Sequence, residues 1–127
     1  MSKPTKAEAA FVARVVRLGC VCCRNNGLDT LDAPCEVHHL RVNNTGVALR
    51  SGWHRILGLC PPHHRQADGS AAWQGEIGYH VSPEEFELRY GTQEDLHRQT
   101  IRELGLNPAD PKFQPALLGQ GLTNVAT

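Results

Sequence analysis

The chain has 127 residues, 40% of them apolar and 6% aromatic, and its 13 Lys/Arg balance 13 Asp/Glu. That length supports one domain with a modest core assembled from Val, Leu, Ile and Ala, a core that a structural metal would help. No apolar run of about 18 residues can span a bilayer, and Lys3, Lys6 and Glu8 stand where a signal peptide needs an apolar stretch, so the sequence reads as a soluble, cytoplasmic protein.

Thr5 and Glu8 form a T-x-x-E capping box, after which Phe11, Val12, Val15, Val16 and Leu18 recur at helical spacing until Gly19 ends the run. This predicts a helix over 5–18 that delivers "GCVCC" as a turn at its C-terminus. "RNNGLDTLDAP" has the composition of a loop, "CEVHHL" reads as a strand, and "RVNNTGVALRSG" as a loop or wide hairpin. A second strand is expected in "WHRILGL". Pro61 and Pro62 then suit the start of a short helix, "PPHHRQAD", which stops near Gly69. Ser82-Pro83-Glu84-Glu85 opens a helix that closes at Gly91, and Thr92 with Asp95 opens another that runs to about Leu104. From Asn107 onward prolines and glycines leave no periodic pattern. The expected organisation is one domain over 1–105, with its core at about 19–69 and C-terminal helices at about 83–104, followed by a loosely packed or disordered tail over 106–127.

Five cysteines are an odd number, and their position beside histidines reads as metal binding rather than as a disulfide framework. Cys20 and Cys23 form a C-x-x-C pair, and Cys60 and His63 a C-x-x-H pair; each is short enough for one turn to present two ligands, and zinc takes four such ligands tetrahedrally. Cys22 and Cys35 are left over, with Cys22 an alternative to Cys20 or Cys23 at poorer spacing. His64 is turned about 100° from His63 on a helix and is free for another task. His38 and His39 point to opposite faces of a strand, so they can share a site only where that strand ends or bulges. A base close to working pH and a cation to stabilise phosphate charge are what phosphodiester hydrolysis needs, and a strand-end base, a hairpin and a helix-borne ligand supply both.

Taken together, "CVCC", "EVHHL", "GWHRILGLCPPHHRQ" and "EEFELRYGT" resemble HNH endonucleases, and more closely the phage recombination-enhancement (Ref) family of RecA-dependent nucleases, over roughly residues 18–96. The resemblance implies an α+β fold: a small zinc-stapled ββα-metal (His-Me finger) domain with flanking helices. It implies that Cys20, Cys23, Cys60 and His63 hold a structural zinc. His38 and His64 would hold a catalytic divalent ion, Mg²⁺ or Mn²⁺ with Zn²⁺ as an alternative, and His39 would be the general base. His54 is the best match to the middle motif residue, while Asp68 and His80 are candidates for a further metal ligand. The implied partners are DNA and a RecA-type filament, and the implied setting is a phage- or prophage-encoded monomer in the bacterial cytoplasm. The N-terminus is short for this family, which carries a long basic extension in some members.

Residues 1–65 hold nine Lys/Arg against four Asp/Glu, and residues 66–127 four against nine. A basic half suits a polyanion-binding face, with Arg41, Arg50, Arg55 and Arg65 as candidate phosphate contacts; ordinary surface charge is the competing explanation. Trp53 and Trp73 read as core more readily than as base-stacking platforms, Phe86 and Tyr90 as helix anchors, and His97 as a surface residue. A zinc-stapled binding module without catalysis is the functional alternative, against which the surplus of histidines argues.

Overall fold

A computed structural model describes residues 3–41 and 52–115. The expected inter-strand loop, with Arg50, and the end of the expected tail lie outside the described residues. Helix α1, Lys6–Leu18, starts on the predicted capping box: Thr5 Oγ1 accepts from Glu8 N–H (3.1 Å) and Glu8 Oε1 from Thr5 N–H (2.7 Å). Gly19 ends it with φ +90°, a conformation that glycine adopts without steric cost. The cysteine run is a short helix rather than a simple turn: α2, Val21–Asn25, begins directly after Cys20. Strands β1, Glu36–His39, and β2, Ile56–Leu59, pair antiparallel with Glu36 opposite Leu59 and His39 opposite Ile56. Next comes one wide helical turn, Pro62–Gln66, and then helices α3, Pro83–Tyr90, and α4, Gln93–Glu103. Their caps are the predicted ones, Ser82 Oγ accepting from Glu85 N–H and Thr92 Oγ1 from Asp95 N–H.

The small sheet is the spine of this α+β domain because β2 is buried along its whole length. Side chains alternate across a strand, so β2 feeds two cores at once. Leu57 and Leu59 enter a cluster with Val21, Leu40, Tyr79, Phe86 and Leu96, whereas Ile56 enters a second cluster with Phe11, Val15, Ile101 and Phe113. On the Ile56 face Gly58 must lack a side chain, since a Cβ there would lie 2.5 Å from the Gly19 carbonyl oxygen. The end of α1 thereby sits directly on the sheet.

Two further expectations are corrected. Residues 107–115 are not a loose tail: Pro111–Phe113 forms a 3₁₀ turn that buries Phe113 to 2% exposure beside Phe11, with ring centroids 5.5 Å apart. One aromatic side chain suffices to dock a segment that has no periodic pattern of its own. His97 is not on the surface either; it is 2% exposed, and its Nε2–H donates to the His54 carbonyl at 2.8 Å.

Both corrections have measurable consequences. Phe113→Ala is expected to lower the unfolding free energy by about 3 kcal/mol, the usual cost of truncating a buried phenylalanine, read as a shift in the denaturation midpoint. Burial depresses the His97 pKa, so the folded chain refuses a proton that the unfolded chain accepts below the ordinary histidine value of about 6.5. That contribution to stability is present above the unfolded value and is lost as pH falls through it. His97→Gln is expected to reduce the drop in melting temperature between about pH 7 and about pH 5 relative to the unchanged chain.

Candidate metal centres

Two groups of metal-ligating side chains lie on either side of the Pro62–Gln66 turn. The first joins Cys20, at the start of α2, and Cys23, within it, to Cys60 and His63, which flank the start of the turn. Cys23 Sγ stands 3.7 Å from Cys60 Sγ, and His63 Nδ1 lies 3.5, 3.5 and 3.1 Å from the sulfurs of Cys20, Cys23 and Cys60. In a tetrahedron around a zinc-sized ion the sulfur–sulfur edge is about 3.8 Å and the sulfur–nitrogen edge about 3.5 Å, so the four atoms fit one ion. Cys22 is fully buried in the neighbouring apolar cluster, and Cys35 reaches the Val16 carbonyl (3.6 Å); neither belongs to the group.

A carboxylate sets the His63 ring. Glu76 Oε1 accepts from His63 Nε2–H at 2.7 Å, which leaves the Nδ1 lone pair aimed at the sulfurs. Glu76 also accepts from the Tyr90 hydroxyl (2.6 Å) and the Arg89 guanidinium (2.7 Å). Burial would raise its pKa, but these three donors override it and hold the carboxyl down at about 2. Nothing in the sequence singled out Glu76, because its partners are spread over the turn and α3.

The second group is His38, His64 and His80, each offering one nitrogen, with all three nitrogens within 4.8 Å of one another. Nitrogens ligating one ion at about 2.1 Å lie about 3–4 Å apart, so this set must draw in somewhat to hold one ion. His38 comes from β1, on the face it shares with Leu57 by register, and is 1% exposed. Burial, then the nearby His64, His80 and Arg41, depress its pKa to about 3, despite an opposing bond to Gln93, which keeps the ring neutral as ligation requires. His64 Nδ1–H donates to Glu36 Oε1 at 2.8 Å, and that carboxylate is gripped by the Arg65 guanidinium at 2.7 Å. The Arg65 bonds, then the one from His64, depress the Glu36 carboxyl to about 2.

His80 arrives on a segment laid along the turn, with Tyr79 N–H to His63 O (2.8 Å) and His80 N–H to His64 O (2.9 Å). Gly78 permits this approach, since a Cβ there would meet the Pro62 carbonyl oxygen at 2.9 Å. The turn itself is wide: Ala67 N–H bonds to Pro62 O at 2.9 Å, five residues back. His63 and His64, adjacent on this turn, fall in separate groups.

Other predicted residues lie elsewhere. His39 is half-buried on the opposite face of β1 from His38, with its ring 4.7 Å from that of Trp53. His54 does not join the histidines; its ring packs on Phe11 (5.2 Å) and Phe113 (5.8 Å) in the second core. Asp68 is a turn residue whose Oδ1 accepts from Ser70 N–H (2.9 Å), apart from both groups. Arg55 is 5% exposed and donates to Glu94 and to the Phe113 carbonyl (3.0 Å), so it is a structural cation rather than a phosphate contact. Arg65 is committed to Glu36, while Arg41 lies close enough to help depress His38 and His80.

The two groups predict different responses to substitution. Cys60→Ser or His63→Ala is expected to lose one tightly held metal equivalent by elemental analysis and to abolish the cooperative thermal transition, since a structural ion of this type contributes on the order of 10 kcal/mol to folding. His64→Ala is expected to retain both that equivalent and the transition.

Residues 4–105 match the protein-family model described as recombination enhancement, RecA-dependent nuclease. No curated protein matches the chain. The match spans both metal-ligating groups and every helix from α1 to α4, and the chain belongs to the recombination-enhancement, RecA-dependent nuclease family.

Proposed function

We propose that this chain is a metal-dependent DNA endonuclease of the HNH type, with β1, β2 and the Pro62–Gln66 turn as a ββα-metal core. The observation that carries this reading is the convergence of His38 from the strand, His64 from the turn and His80 from the following segment. The group of three sulfurs and one imidazole is a donor set for structural zinc, and it staples α2 to the end of β2. The second set is three imidazoles, which suit Zn²⁺ better than Mg²⁺, an ion that prefers oxygen donors; Mn²⁺ is intermediate. When bound there, a divalent ion neutralises charge on the scissile phosphate and on the leaving oxygen.

The residues of the chain supply the remainder. His39 is the general base: it takes a proton from a water whose oxygen forms the new bond to phosphorus as the phosphorus–oxygen bond to the leaving sugar breaks. It stands on the other face of β1 from His38, at the strand's last residue. Glu36 and Gln93 orient the ligand rings, and Arg41 adds positive potential beside them. The substrate is DNA, presented with a RecA-type filament, and the chain acts as a monomer. No helix among the described residues is long and apolar enough to cross a membrane.

The test is nicking of supercoiled plasmid, with and without a RecA filament, in Mg²⁺, Mn²⁺ or Zn²⁺. His39→Ala is expected to lower the rate by about 10²–10⁴-fold at unchanged metal content and melting temperature. Unchanged nicking in that variant, or no nicking by the unaltered chain with any ion and the filament present, would sink the proposal and favour a binding module.

A further inference from the structure

We propose that Gln93 is a positioning residue that locks His38 in its Nε2–H tautomer, so that Nδ1 carries the lone pair this ring offers to a cation. The inference rests on the reading of His38, His64 and His80 as ligands of one ion. Gln93 is the first residue of α4, is 4% exposed, and has its own backbone N–H fixed by Glu87 Oε2 at 2.7 Å. Its side-chain amide reaches across to the chain just beyond β1 and engages both backbone groups of a single residue. Oε1 accepts from Arg41 N–H at 2.8 Å, and Nε2 donates to Arg41 O at 3.1 Å. The amide thus acts as one more rung on the β1 ladder, supplied by a side chain.

That double bond settles which end of the amide is which. A reversed amide would set N–H against N–H and oxygen against oxygen at a buried site, losing both bonds and leaving four polar groups facing like partners. The oxygen therefore faces Arg41 N–H, and it is this same oxygen that lies 2.9 Å from His38 Nε2. A carbonyl oxygen only accepts, so His38 Nε2 must carry the hydrogen and Nδ1 must be the unprotonated nitrogen. The ring has little freedom to escape: it is 1% exposed, 4.5 Å from the Tyr79 ring and 5.3 Å from that of His64. Its neighbour His64 is set in the opposite sense, with Nδ1–H on Glu36, so the two rings keep their lone pairs on different nitrogens.

Ring-nitrogen NMR of the ¹⁵N-histidine-labelled full chain, its cysteine site loaded and no further ion added, reads the tautomer directly. Nε2–H at His38 is expected, and Nδ1–H there would overturn the proposal without any variant being made. A Co²⁺ titration then reads affinity at the histidine group, whose weak visible bands lack the thiolate charge-transfer features of the cysteine site. Gln93→Leu is expected to weaken this binding by about tenfold to a hundredfold, whereas Gln93→Glu, which keeps an acceptor oxygen, is expected to stay within about threefold of the unaltered chain. Equal affinity in Gln93→Leu and the unaltered chain refutes the role of Gln93 alone. Absence of any Co²⁺ binding by the histidines of the unaltered chain refutes the reading of the cluster itself, and the proposal with it.

Discussion

The step from His63 to His64 is the constraint on which this domain depends. One residue must face three sulfurs and the next must face two histidines. The chain meets this with a turn closed by a bond from Ala67 back to Pro62 and with a glycine at 78 that lets the following segment lie against it. The same backbone groups that fix the turn, the carbonyls of His63 and His64, also receive the amides of Tyr79 and His80. Position and chemistry are therefore coupled: what brings His80 to the site is the backbone of the residues that form it.

Carboxylates and one amide complete what the backbone begins. Glu76 holds His63 at Nε2 and Glu36 holds His64 at Nδ1, so adjacent histidines are set in opposite tautomers and present opposite nitrogens. Each carboxylate is in turn anchored by an arginine, Arg89 for Glu76 and Arg65 for Glu36. Imidazoles so held lose little orientational freedom when an ion binds, which favours ligation. The low pKa values of both carboxyls follow from the same bonds, so these anchors remain charged well below neutral pH.

Much of this was legible in the sequence wherever the signal was local. The capping box and the helix starts depend on residues three apart, and the two ligand pairs on spacing within a turn; all appear where the pattern put them. His80 was legible only as a candidate, because nothing local says that residues 77–80 return along the turn. Gln93, Glu36 and Glu76 drew no role from the sequence, since their partners lie 55, 28 and 13 residues away. His54 and Arg55 misled for a related reason. They sit beside a motif strand, but Phe113, which packs on the one and accepts from the other through its carbonyl, comes from a segment whose composition reads as loose chain.

Charge shows the same limit most clearly. Along the sequence the first half is basic and the second acidic, yet the fold joins the two: Arg24 of α2 pairs with Glu103 of α4 (2.6 Å), and Arg55 beside β2 pairs with Glu94 of α4. Arg65 and Arg17 find acids within their own half, Glu36 and Asp32. The asymmetry of halves is thus no asymmetry of faces among these arginines, because helix α4 lays its acids on the basic segments. Phosphate affinity grows with the number of cations free to displace counterions, so each arginine committed to an internal acid reduces the sequence-independent term of DNA binding.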